Sequence, residues 1–184
     1  MIKKILLGIV VMVVVLLAVV LVLVLRQPTH YQVERSATIN APAPVVFGLV
    51  NDFHKWDSWS PWAKLDANLK QSYEGAPSGN GAIYSWSGNS QVGEGRMTIV
   101  ESRPSDLIKI RLEFIKPFAA TNATDFSFIQ SGNQTNVKWT MSGDNNFIGK
   151  AFSLFMNTDK MIGNDFYRGL AQMKKVAEVP ASQR

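Results

Sequence analysis

The residues that could carry chemistry are few and scattered. The chain holds two histidines, His30 and His54, and no cysteine. No spacing of His, Cys, Asp and Glu matches a familiar metal site, so neither a metal nor a cofactor is expected. No Gly-x-Ser-x-Gly elbow occurs, and any serine nucleophile would need one of the two histidines as its base. Gly79-x-Gly81 and Gly93-x-Gly95 lack a following strand-to-helix step, which reads them as turns or bulges and not as phosphate loops. Catalytic residues are therefore assigned to none. The groups that could orient a substrate or move protons are Asp159, His54, Tyr84, Arg96 and Arg111.

The densest signal is aromatic. Asp52-Phe-His-Lys-Trp-Asp-Ser-Trp-Ser-Pro-Trp62 places Trp56, Trp59 and Trp62 three residues apart. Pro61 keeps Ser60 out of the helical region, so a short helical turn should end there. Two readings of the rings stand side by side. They wall the mouth of a cavity that takes an apolar ligand, or they are core aromatics with indole N–H groups bonded to backbone. Asp159 is equally two-sided. It follows Phe155 by four residues and precedes Ile162 by three, which puts a carboxyl group beside an apolar stripe, where it needs a partner. It anchors a ligand head group or moves protons, or else a break at Asn157-Thr158-Asp159 exposes it at a helix start.

These groups need a frame, and the chain changes period several times to supply one. Val33, Arg35, Ala37 and Ile39 alternate with Glu34, Ser36 and Thr38, as in a strand. Pro44 to about Asp52 reads as a short helix opened by proline. From Leu69 to Gly143 the pattern is strands and turns. Ile108, Ile110, Leu112 and Phe114 point one way, Thr124, Phe126 and Phe128 another set, and Val137, Trp139 and Met141 a third. Ser131-Gly132-Asn133 joins the last two runs as a tight hairpin. From about Asn146 to Val179 apolar residues recur at helical steps, with a bend or break expected near Asn157 to Gly163. The expected class is α+β: a curved antiparallel sheet wrapped around a long C-terminal helix. Such a pair does not close along its whole length and leaves an apolar cavity.

Ahead of this domain, Ile5 to Leu25 is an apolar run without charge or proline, long enough to cross a bilayer as a helix. It is longer than the apolar core of a cleaved signal peptide. Residues 1–26 are thus expected to be a transmembrane anchor, 27–32 a linker, 33–179 the folded domain and 180–184 a tail. Lys3 and Lys4 favour a cytoplasmic N-terminus, with the domain periplasmic or otherwise extracytoplasmic. The net charge of +5 includes Lys3, Lys4 and Arg26 beside the anchor. The remainder is nearly balanced, which argues against a nucleic-acid partner.

Several motifs carry a family resemblance. They are Tyr31-x-Val-Glu-Arg-Ser-x-x-Ile39, Ala41-Pro-x-x-Val-Val-Phe47 and Asp52-Phe-x-x-Trp-x-x-Trp-Ser-Pro-Trp62. Gly75-x-x-x-Gly-x-Gly-Ala82, Trp86-x-Gly-Asn89 and Val92-Gly-x-Gly95 follow, and Asp159-Lys-Met-Ile-Gly-x-Asp-Phe-x-x-Gly-Leu170 closes the set. Together the chain resembles the SRPBCC superfamily, the START and polyketide-cyclase-like helix-grip proteins, in a membrane-anchored bacterial subgroup. The resemblance implies a cavity between sheet and final helix. The residues expected to line it are Trp56, Trp59, Trp62, Tyr84, Trp86, Phe114, Phe126, Trp139, Phe155, Asp159, Ile162 and Phe166. The expected function is membrane-tethered binding or transport of a hydrophobic small molecule: a lipid, isoprenoid, quinone or polyketide-like compound. A cyclase or dehydratase-type enzyme and a non-catalytic envelope interaction protein are the alternatives.

Overall fold

The structure is a computed structural model that describes residues 2–179, so the tail 180–184 lies outside the described residues. Helix α1 spans Ile2–Leu25, and strand β1 (His30–Ile39) leads into α2 (Ala43–Val50). A 3-10 helix, Phe53–Ser58, precedes β2 (Lys70–Gly75), β3 (Ala82–Ser87), β4 (Glu94–Arg103), β5 (Leu107–Lys116), β6 (Ala120–Ser131) and β7 (Gln134–Asp144). Two helices follow, α3 (Phe147–Ser153) and α4 (Thr158–Ala177). The strands form one antiparallel seven-stranded sheet, in the order β1-β7-β6-β5-β4-β3-β2. This is the α+β architecture expected, with the sheet curved around the last helix.

The inner face follows strand parity. Val33 and Ile39 of β1, Ile108 and Ile110 of β5, Phe126 and Phe128 of β6, and Val137 and Trp139 of β7 are all buried. Helix α4 covers this face with Phe166, Leu170, Met173 and Ala177, spaced three to four residues apart. Helix α2 covers the neighbouring part of the sheet with Val46, Phe47 and Val50. Register irregularities in the β4–β5 pair, at Glu94/Gly95 and Ile99/Glu101, add local twist on that side of the sheet.

One boundary differs from the sequence-based expectation. Strand β1 begins at His30, paired with Asp144, because the Thr29 carbonyl also accepts from Asn145 N at 2.8 Å. The connection from α1 is thereby shortened to Arg26–Thr29. The C-terminal helical region is two helices, with the break that its sequence suggested. The break at Leu154–Asn157 meets the expected window at Asn157, whose side chain accepts from Lys160 N at 2.8 Å and caps α4. The tryptophan segment is a 3-10 helix capped by Asp52, whose Oδ1 accepts from His54 N at 3.0 Å. At three residues per turn Phe53, Trp56 and Trp59 eclipse one another and are all buried.

Candidate ligand cavity

Between the sheet and the first half of α4 lies a cavity of about 430 Å³. Its floor comes from alternate positions on successive strands: Tyr31, Trp86, Met97, Leu112, Phe114, Thr124, Trp139 and Met141. Trp56 and Trp62 close one side, and Ile162 and Phe166 of α4 form the roof. Asp57, Gln91, Met161 and Asp165 sit at its margin.

Aromatic stacking holds the floor in place. Trp139 lies flat on Phe166, with centroids 3.9 Å apart and planes at 8°, and stacks on Phe126 at 4.8 Å. Trp62 meets Trp139 edge-on at 5.9 Å. Trp86 lies across Gly95, its partner in the β3–β4 ladder. A β-carbon at Gly95 would collide with the Trp86 ring and with the Glu113 carbonyl, so glycine is what lets the indole lie flat there. The Trp86 indole donates to the Val92 carbonyl at 2.9 Å.

Most of the polar groups are tied down. Tyr31 donates its hydroxyl to Asn122 Oδ1 at 3.0 Å, and burial pushes its pKa up. At the margin, Gln71 Nε2 donates to Asp57 Oδ1 and to the Tyr84 hydroxyl, both at 3.1 Å. Burial raises the Tyr84 pKa, the Gln71 hydrogen bond opposes that rise, and the charge of Asp57 adds to it. Asp165 is paired with Arg168. Thr124 Oγ1 and Trp139 Nε1 are buried without a hydrogen-bond partner among the described residues. Also among the described residues, no three His, Cys, Asp or Glu side chains gather as a metal-binding group.

Of the residues expected on the cavity, Trp56, Trp62, Tyr84, Trp86, Phe114, Trp139, Ile162 and Phe166 line it. Trp59 and Phe126 do not. Both are fully buried behind the wall, where Trp59 packs edge-on against Trp139 at 5.6 Å. Trp56 combines a ring that faces the cavity with an indole that donates to the Val50 carbonyl at 2.9 Å. Phe155 and Asp159 are corrections. Phe155 is 83% exposed, since the helix breaks before it and its helical register is lost. Asp159 stands outside the cavity, clasped by Arg35. His54 is also outside, stacked on Tyr73 at 4.0 Å and 3.1 Å from Asp52 Oδ1. Arg111 pairs with Glu113 on the solvent side. The lining residues that sequence reasoning missed include Tyr31, Met97, Leu112, Thr124 and Met141. Strand alternation carries the signal for all five once the inner face of one neighbour is known.

The family of proteins described as polyketide cyclase / dehydrase and lipid transport matches residues 30–178, from the first residue of β1 to just past α4. The chain belongs to that family. No curated protein matches it. Among solved structures, the polyketide cyclase / dehydrase and lipid transport fold is shared with the Zhui aromatase/cyclase of Streptomyces sp. R1128. That pair is 14% identical, covers 83% of this chain and 98% of the other, and has a TM-score of 0.61. A Staphylococcus aureus protein of unknown function, SA2116, is 10% identical over 87% of this chain and 99% of its own, with a TM-score of 0.61. Aha1 from Colwellia psychrerythraea, solved as a dimer, is 12% identical over 81% of this chain and 97% of its own, at 0.57. At these identities the likeness is one of fold.

Proposed function

We propose that this protein binds a hydrophobic small molecule in the cavity under α4 while α1 holds it at a membrane. One observation carries the reading: a hollow of about 430 Å³ whose interior is aromatic and aliphatic, with its carboxyl groups confined to the margin. Small-molecule sites are mostly apolar hollows of about 300–1,000 Å³ with a few placed polar groups. Burying an apolar ligand there is worth about 25 cal/mol per Å² removed from water. A lipid, isoprenoid, quinone or polyketide-like compound has that chemistry.

Helix α1 supports the tethering. It has 24 residues and a mean hydropathy of 3.6 over its most apolar stretch, long and apolar enough to cross a membrane. Lys3 and Lys4 in its first turn favour a cytoplasmic N-terminus, and so an extracytoplasmic domain. The test is native mass spectrometry of the full chain, purified from its own membranes in mild detergent. A bound apolar molecule is the expected result; a cavity that is consistently empty of anything but water would overturn the reading.

A second reading has one observation behind it. Gln71 brings the Asp57 carboxyl and the Tyr84 hydroxyl to one point of the margin, where a cyclase or dehydratase would want a proton donor and acceptor. Turnover of a polyketide-like substrate by the wild type, abolished in Asp57→Asn, would favour it over simple binding.

A further inference from the structure

One end of the sheet gathers features that the cavity alone does not require. It holds the start of β1, where α1 enters, and the end of β7, where α3 leaves. The β5–β6 turn joins Lys116 to Ala120 at the same end, and the β3–β4 turn joins Ser87 to Glu94. The cavity lies toward this end as well. Tyr31, Phe114, Trp86 and Met141 are the wall residues nearest these strand ends, and Val92 of the β3–β4 turn belongs to the margin.

Large apolar side chains stand out in solvent around this end. Phe118 of the β5–β6 turn is 63% exposed and Phe155, after α3, is 83% exposed. Ile148 and Phe152 of α3 are exposed too, as is Met161, which also lines the cavity. Exposed apolar side chains that gather at one end of a domain mark a contact surface where they form a continuous patch. Helix α3 touches α1, and Val24, the buried residue of α1, lies in its last turn. The α3 part of this surface therefore adjoins the point where the apolar helix leaves the domain.

We infer that this rim, α3 and the segment after it together with the Phe118 turn, docks into the interface of the same bilayer that α1 spans, and that the cavity mouth opens onto the lipid there. The inference rests on the anchoring proposed above. Side chains of interfacial elements bury about 5–10 Å into the headgroup and acyl boundary, within reach of aromatic residues on a short helix and a turn. A ligand then passes between bilayer and cavity alongside Met161 without crossing bulk water.

The chain has no cysteine, so single thiols report position cleanly. Full-length Phe118→Cys, Phe155→Cys, Val13→Cys and Ile129→Cys variants are each labelled with an environment-sensitive fluorophore and reconstituted in phosphatidylcholine nanodiscs. Lipids carrying a shallow or a deep quencher are then introduced. The expected result is roughly twofold quenching at Phe118 and Phe155 by the shallow quencher, quenching at Val13 by the deep one, and none at Ile129 at the far end of β6. Quenching at Val13 with none at Phe118 and Phe155 overturns the docking and leaves the anchor standing. Silence at Val13 overturns the anchor and the docking with it. Rim labels shielded from an aqueous quencher but blind to lipid would mean that a protein covers the rim, which also overturns the proposal.

Discussion

Arg35 and Asp159 join strand β1 to the first turn of α4 by two parallel hydrogen bonds, Nη1 to Oδ1 and Nη2 to Oδ2, both at 2.9 Å. The same guanidinium also donates to the Asp159 carbonyl at 3.0 Å and to the Glu34 carbonyl at 2.7 Å. A planar fork on a carboxylate fixes orientation as well as distance. This pair ties the first turn of α4, and with it the roof of the cavity, to β1.

The clasp should be visible in the pH dependence of stability. The hydrogen bond from Arg35 holds the Asp159 pKa below its ordinary value, with Coulomb attraction adding to it and partial burial opposing. A carboxyl group whose pKa is lower in the folded state stabilises fully above the unfolded value of about 3.9 and loses that contribution as pH falls through the folded value. Asp159→Asn is expected to lower Tm by about 2–4 °C at neutral pH. The gap from wild type should close in strong acid; an equal gap at all pH values would dissociate the pair from stability.

Gly163 should behave against helix propensity. Alanine in a helix interior normally gains about 1 kcal/mol over glycine. Here a β-carbon would run into the Arg35 guanidinium, which lies across Gly163 on its way to Asp159. Gly163→Ala is expected to lower Tm in the wild-type background and to raise it in an Arg35→Ala background. Thermal melts of the four proteins of that cycle decide the matter, and a stabilising Gly163→Ala in the wild type would count against the close approach.

Filling the cavity should separate binding from folding. Met97 faces the hollow between its ladder partners Tyr84 and Leu112. Met97→Trp puts added volume into open space, so the usual overpacking cost of about 1–3 kcal/mol should be largely avoided. The expected outcome is a loss of bound ligand of about tenfold with little change in Tm, read by native mass spectrometry and melting.

Tyr73 should titrate late. Burial, then the nearby charge of Asp57, pushes its pKa up to about 12. A phenol that holds its proton longer when folded stabilises fully below the unfolded value of about 10 and loses that contribution as pH rises from there through about 12. Tyr31 and Tyr84 are also raised, so Tyr73→Phe should remove one phenol's share of the phenolate absorbance that grows toward pH 12 and leave theirs. A Tyr73→Phe protein with an unchanged alkaline titration would refute the assignment.

Period and turn chemistry made most of the fold legible. Alternation in Ile108–Phe114 and Val137–Met141 marks real inner faces, and Gly132-Asn133 is the two-residue turn between β6 and β7. Proline at the start of α2 and the isolated apolar run of α1 were equally plain. The site was less legible, for physical reasons. Phe155 fits the helical stripe by spacing, yet the Asn157 cap ends that register, and a side-chain hydrogen bond three residues away leaves no trace in periodicity. Asp159 needed a partner, but Arg35 comes from 124 residues away along the chain. Trp59 and Phe126 are as apolar as the wall residues, and depth behind the wall is a property of packing alone.

The four residues Arg26–Thr29 between α1 and β1 reach at most about 14 Å when extended. In the anchored arrangement proposed above, so short a leash rules out ferrying cargo from one membrane to another. Direct exchange with lipid is then confined to the leaflet that faces the domain, and any acceptor must come to the protein.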